Sequence, residues 1–338
     1  MTVETGEPDA RPVPMTARRR FAETMRHGEP DRVPCFEEGL RDGVLERWHE
    51  QGLAPDADLS TMFEFDGREP VPVDLAPRPP LKKWPTSRRG LGALRRRLDP
   101  DDPERLPEDW ARRVKAWRTR DHVLQLPAHR GFFLSMGVGD WDRFAQVLYL
   151  LNDAPSLVIE MMEIYGEFCV RLFERVLRDV AVDFATFSEP IAGNDGPLLS
   201  PRAYERFVLR TYRPVMAALR RGGVETIIFL TYANARPLLP SVVDAGFDGL
   251  WACETEPKAM DYRALRRQFG RELRLIGGID LDALLAGKAA IRREIEAKVP
   301  PLLAQGGYVP LADGRVRPNV PFENYVYYRR LLEKVARA

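Results

Sequence analysis

Thiols and imidazoles are scarce in this chain. Its 338 residues hold three cysteines, Cys35, Cys169 and Cys253, far apart and without a C-x-x-C pair. That spacing excludes a disulfide framework and fits reduced thiols in a cytoplasmic setting. Four histidines, His27, His49, His122 and His129, show neither His-x-Cys nor His-x-x-x-His spacing, so no zinc site and no metal assignment follow from them. Neither sign of charge is in excess: 51 Lys and Arg against 50 Asp and Glu leave a net charge of +1, and the basic footprint of a nucleic-acid binder is missing. No stretch of about 18 uninterrupted apolar residues occurs, so no membrane span is expected. The opening residues are polar and contain proline, unlike a signal peptide; residues 1–15 read as a flexible tail ahead of a folded 16–338.

What remains is an ordinary globular composition, 44% hydrophobic and 30% charged, at a length that suits two modest domains or one α/β barrel. Thr16 offers an N-cap to a first helix with Phe21, Ala22 and Met25 at helical spacing. Short apolar runs ending in polar residues then recur, at 31–36, 71–73, 131–136, 183–187, 226–230, 249–252, 273–276 and 308–311. Most are separated by amphipathic helical stretches, at 141–151, 155–180, 201–221, 235–245, 261–269, 281–303 and 322–336. Eight strands alternating with helices predict a (β/α)8 TIM barrel. No G-x-G-x-x-G follows any of the runs, which argues against an open dinucleotide-binding sheet. Residues 75–128 interrupt the spacing and read as an insertion, a lid or a dimer contact, whose basic run at 87–97 is nearly neutralised by Asp99, Asp101, Asp102 and Glu104.

In such a barrel catalytic groups sit at the C-terminal strand ends. There the sequence places Glu37, Glu38, Asp74, Glu189, Glu254, Asp280 and Asp313, with Arg41, Tyr232, Asn234 and Arg315 beside them. Crowded carboxylates cannot all ionise cheaply, so one should carry a raised pKa or pair with an arginine, and either suits proton transfer. Asp280, followed by an apolar periodic run, reads first as a helix cap. Glu189 leads into a flexible loop, 190–197, better placed for a substrate than for a core. Cys253 has no histidine to activate it and reads as a small buried thiol. An all-oxygen site for a hard cation stays open.

Four segments in order, RFAETMRHGEPDRVP (20–34), GNDGPLLSP (193–201), GGID (277–280) and GGYVPLAD (306–313), resemble the uroporphyrinogen decarboxylase superfamily, from about residue 16 to the end. The resemblance implies the same barrel, a homodimer, and one of two chemistries: cofactor-free decarboxylation, or zinc-dependent methyl transfer between a corrinoid and a thiol. Where true uroporphyrinogen decarboxylases carry MRQAGRY, this chain reads FEEGLRD (36–42), keeping one arginine as Arg41; Met136 and Asp313 stand for their tyrosine and histidine. The methyltransferase His-x-Cys is replaced by Thr231 to Asn234. The expectation is therefore a decarboxylase-type enzyme outside the true porphyrinogen decarboxylases, without cofactor, acting on a small carboxylated substrate. Glu189, Asp313 and Tyr232 are the expected catalytic residues; Arg41, Glu37, Asn234, Glu254 and Arg315 are expected to bind substrate. The alternatives are a methyltransferase or demethylase working with a corrinoid protein, with zinc or corrinoid entering there alone, and a non-catalytic barrel kept for binding.

Overall fold

The computed structural model describes residues 14–337. Seven strands form one parallel sheet in chain order: β1 (Arg68–Pro70), β2 (Val123–His129), β3 (Phe184–Glu189), β4 (Ile227–Ala233), β5 (Gly249–Thr255), β6 (Arg274–Gly277) and β7 (Tyr308–Val309). Helices cover its outer face. Those that matter below are α1 (Ala17–Met25), α2 (Leu91–Arg97), α3 (Pro155–Asp179), α4 (Arg210–Arg221), α5 (Leu281–Ala286) and α6 (Phe322–Ala336). Among the described residues no helix is long and apolar enough to cross a membrane.

The sheet curls. Val123, Phe184, Ile228, Trp251, Ile276 and Val309 come from six different strands yet meet in one cluster with Phe36 and with Phe21 and Met25 of α1, which a flat sheet does not permit. Helix α1, capped by Thr16 as its sequence predicts, plugs the end where the strands begin. Its Phe21 ring lies 4.9 Å from Phe184 and 5.8 Å from Phe36. Arg20 anchors it through Asp31 and Asp66. The opposite end, where the strands finish, is left open as a polar mouth.

Four expectations need correction. Seven strands, not eight, form the sheet, and among the described residues no ladder joins β1 to β7 to close it. The first run, 31–36, is extended but is not a strand of the sheet. It stands between β1 and the chain after β7, joined by the Asp66 N–H to Cys35 O bond at 2.9 Å and by a bridge between Leu40 and Val316. Its Pro34 has no N–H to give to a ladder. The run at 131–136 is a helical turn, Phe132–Ser135, that follows Gly131 at φ 89°; the strand is β2, which lies partly inside the segment assigned to the insertion. The strand expected at 71–73 forms three residues earlier, as β1. What is left of the insertion lies along α3, with ion pairs Arg88–Glu160, Arg95–Glu167 and Arg171–Asp101 between exposed side chains and with Asp74 bonded to Arg78. Of the expected tail, residues 1–13 lie outside the described residues, and Met15 is held by Asp31 and Arg20.

Phe21 is 1% exposed, and truncation there removes the plug's aromatic contacts. Phe21→Ala is expected to cost about 3–5 kcal/mol, read as a lower urea midpoint at unchanged m-value; an unchanged midpoint would mean that the base of the curled sheet does not depend on this ring.

Candidate functional site

Alternation along β3 divides the candidates between two environments. Phe184 points to the concave side of the curled sheet, whereas Ala185 and Phe187 pack in the helix-side core. Glu189 falls on the helix side. It is fully buried there, its Oε1 accepting the Phe132 N–H at 2.9 Å and its Oε2 accepting the hydroxyls of Tyr212 in α4 at 2.5 Å and of Tyr204 at 3.3 Å. Burial lifts its pKa to about 7 against these three bonds. The His129 ring lies 4.3 Å from that of Tyr212 and is pushed down to about 3 by burial, with Arg130 adding, so it stays neutral. The expected catalytic carboxylate is thus turned away from the mouth.

Asp313 does reach the strand ends, but its oxygens are already engaged. Its Oδ2 accepts the Thr255 N–H at 2.9 Å and the Thr255 hydroxyl at 2.6 Å, and its Oδ1 accepts the Leu281 N–H at 3.1 Å. It clamps β5 to the start of α5. Asp280 caps that helix by accepting the Asp282 N–H, as its sequence context predicts. Glu37 turns outward to Arg329 of α6 at 3.0 Å and Tyr325 at 3.3 Å. Arg41 and Glu254 pair with each other at the rim, both partly exposed. Asn234 gives its N–H to Gly193 O at 3.1 Å while its side-chain Oδ1 is buried without a donor. Arg315 is exposed.

Inside the mouth a different group converges. Tyr232 of β4 packs against the interior cluster, and burial raises its pKa, with Cys253 and Glu38 adding. The Cys253 thiol of β5 lies 4.0 Å from Glu38 Oε1, and burial first, then Glu38, keeps it protonated. Burial raises the pKa of Glu38; Arg68 and Arg315 oppose that and Glu37 adds to it. Arg68, not anticipated from the sequence, crosses the interior so that its guanidinium carbon lies 4.7 Å from the Trp251 ring centroid. Its signal was a lone cation just ahead of an apolar run, misread because β1 was placed three residues late. These groups bring a cation, a carboxyl of raised pKa and a phenol together, each partly exposed, a set suited to holding an anionic substrate and moving a proton.

Zinc, implied by one branch of the resemblance, does not fit this donor set. Thr231, Tyr232, Ala233 and Asn234 offer no imidazole or thiol, Cys253 has no second thiol beside it, and among the described residues no three His, Cys, Asp or Glu side chains converge as a metal requires.

Comparison with known proteins adds three findings. The family model for uroporphyrinogen decarboxylase (URO-D) matches residues 134–334. The uroporphyrinogen decarboxylases of Syntrophotalea carbinolica and Nitrosospira multiformis are each 27% identical, over 132 and 166 residues. These matches span 39% and 48% of this chain but 37% and 43% of the relatives, less than half of their length. A methyltransferase from Methanosarcina mazei superposes with a TM-score of 0.60 over 95% of this chain and 99% of its own, at 16% identity, a likeness of fold alone.

The Glu189 environment has a signature in stability. A carboxyl raised to about 7 in the folded state stabilises fully below its unfolded value of about 4.5 and loses that contribution as pH rises through the folded value. His129, depressed to about 3, acts in the opposite sense, its contribution being complete above about 6.5 and lost as pH falls. The two slopes offset each other in the native chain between about 4.5 and 6.5. Glu189→Gln removes one. The difference in unfolding free energy between the native chain and Glu189→Gln is expected to shrink by up to about 1.4 kcal/mol per pH unit from about pH 4.5 to 7, read from urea midpoints; a difference independent of pH would show an ordinary carboxylate.

Proposed function

Because the chain belongs to the uroporphyrinogen decarboxylase family, we propose that its mouth is the active site of a cofactor-independent, decarboxylase-type enzyme acting on a small carboxylated substrate by acid–base chemistry. The observation that carries this reading is Glu38: a carboxyl inside the barrel with its pKa raised by burial, next to a thiol rather than in a salt bridge, and partly open to the mouth. Glu189 and Asp313 have their oxygens committed to the fold, so the proton role expected of them passes to Glu38. The substrate carboxylate binds ionised. As its C–C bond breaks, carbon dioxide leaves and the electron pair stays on the substrate, delocalised into an adjacent carbonyl or ring. Glu38 gives its proton to the carbon that held the carboxylate and is reprotonated from water. Tyr232 orients the substrate from β4, and the rim cations Arg41 and Arg315 draw anions toward the mouth. Methyl transfer has less support, since the structural neighbour carries the fold alone and the donor set does not fit zinc.

The test is carbon dioxide release by the full chain across a panel of small carboxylic acids. With any acid that turns over, Glu38→Gln is expected to lower kcat by about 10²–10⁴-fold with KM changed little. Turnover equal to the native chain in that variant would remove Glu38 from the chemistry, and no release from any acid would overturn the decarboxylase reading.

A further inference from the structure

Large apolar side chains left open to solvent are few in this chain, and they cluster. Among the described residues Leu134, Trp141 and Leu198 are exposed, and all three line one open groove of about 550 Å³ together with Phe133, Phe144 and Pro190. That volume lies within the range of small-molecule sites. Leu148 and Tyr149, also exposed, extend the apolar surface along the helix Trp141–Asp153.

The groove adjoins the mouth. Ser188 pairs with Leu230 and Glu189 with Thr231 across β3 and β4; at the next place stand Pro190, in the groove wall, and Tyr232, in the mouth. Neighbouring strands lie about 5 Å apart, so the apolar surface begins where the polar one ends. Its walls are fixed before any ligand arrives. The turn Phe132–Ser135, which carries Phe133 and Leu134, is tied to β3 by the Phe132 N–H on Glu189 Oε1 at 2.9 Å. Past the end of that turn the Arg143 guanidinium donates twice to Met136 O, at 2.9 and 2.7 Å, and the Trp84 ring packs where a Cβ on Gly137 would stand. The Phe144 ring lies 5.1 Å from that of Phe133 and 5.8 Å from that of Trp141. Among the described residues the one charged side chain lining the groove is Asp140, which caps the helix Trp141–Asp153 by accepting the Arg143 N–H at 2.7 Å.

We propose that this groove is the subsite for a hydrophobic group of the substrate, an aryl or alkyl group carried by the acid whose carboxylate enters the mouth. The subsite deepens the decarboxylase reading and rests on it for the identity of the mouth. Aromatic walls without a free polar group reward an apolar guest and offer a peptide backbone or a sugar nothing to bond. Asp140 and the exposed Asp142 beside it repel an anionic membrane surface. Walls already held in place keep the ordering cost of binding low.

The experiment titrates the full chain by calorimetry with ω-phenylbutanoate, butanoate and ω-phenylbutanol, and repeats the series in Trp141→Ser and Leu198→Ser, with sedimentation of each protein. Trp141 is 83% and Leu198 47% exposed, so neither substitution opens the core; should one variant still fail to fold, the other carries the test. Phenylbutanoate is expected to bind about tenfold or more tightly than butanoate, and more tightly than the alcohol, because the acid alone engages both mouth and groove. Each serine variant is expected to weaken phenylbutanoate several-fold and to leave butanoate where it was. No binding of phenylbutanoate, equal affinity for it and butanoate, or affinity unchanged in both variants would overturn the subsite. Equal binding of the alcohol would part the groove from the mouth and overturn it as well, as would a dimer that either variant dissociates, which would place a second copy on the groove. The decarboxylase reading fails separately: phenylbutanoate bound as described with no acid releasing carbon dioxide leaves the groove standing as a site for apolar acids, and release from small acids with apolar ones rejected removes the subsite while leaving the reaction.

Discussion

The Arg68 guanidinium lies over the Trp251 indole because the sheet curls until β1 and β5, separated in hydrogen-bonding order by β2, β3 and β4, face each other across one interior. That curl sets the rest. Every strand must divide its side chains between an interior and a helix layer, and a residue serves one or the other. Val123, Phe184, Ile228 and Ile276 fill the interior against the α1 plug. Further along the strands Gln125, Thr186, Tyr232 and Cys253 replace them, so the concave side of the sheet is apolar and filled at its base and polar at its mouth. Arg68 starts near the base, and its length brings its charge up to where water and ligands reach.

The buried carboxylates are sorted by what meets them. Asp66 receives Arg20 and Arg32, and Glu37 receives Arg329; each is an ion pair in a place where a lone charge would cost several kcal/mol. Asp313 is held by hydroxyl and backbone donors. Glu38 and Glu189 have no cation in contact, and in both burial pushes the pKa up, as it also does for Glu37 and Asp313, whose oxygens are engaged by the fold. The first two differ in access. Glu189 is fully buried beneath Tyr204 and Tyr212, whereas Glu38 is partly exposed. A raised pKa marks a proton donor when a substrate can also reach it, and Glu38 alone of the two meets both conditions.

Much of the scaffold was legible in sequence because its signals are local. The caps at Thr16 and Asp280 need a hydroxyl or carboxylate before an apolar period, and the last helix, 322–336, formed over the residues its spacing marks. The faces of the strands were not legible. Phe184 to Glu189 is buried on both sides, so no alternation of polar and apolar residues tells which parity points inward, and Glu189 was assigned to the mouth. Phe132 to Ser135 failed for the related reason that a four-residue apolar run suits a strand and a helical turn equally. Arg68 and Trp251 were invisible as a pair because their contact spans four strand positions of a curled sheet, information that no local pattern carries.

The mouth also concentrates backbone strain. Ala233 and Glu254 hold left-handed backbone, φ 54° and 44°, at the ends of adjacent strands, at a cost of about 1 kcal/mol or more each for residues with a Cβ. Between them the register slips: Tyr232 pairs with Cys253 and Ala233 with Thr255, so Glu254 is the extra residue of a bulge. In a regular strand Thr255 would follow Cys253 toward the interior and Glu254 would turn to the helices. The bulge instead brings Thr255 to Asp313 and releases Glu254 to pair with Arg41 at the rim. A glycine at 254 would relieve the φ and lose the pair. The strained residue therefore sits where one turn of backbone decides three things together: Cys253 facing Glu38 inside, the Asp313 clamp behind it, and the charged rim above.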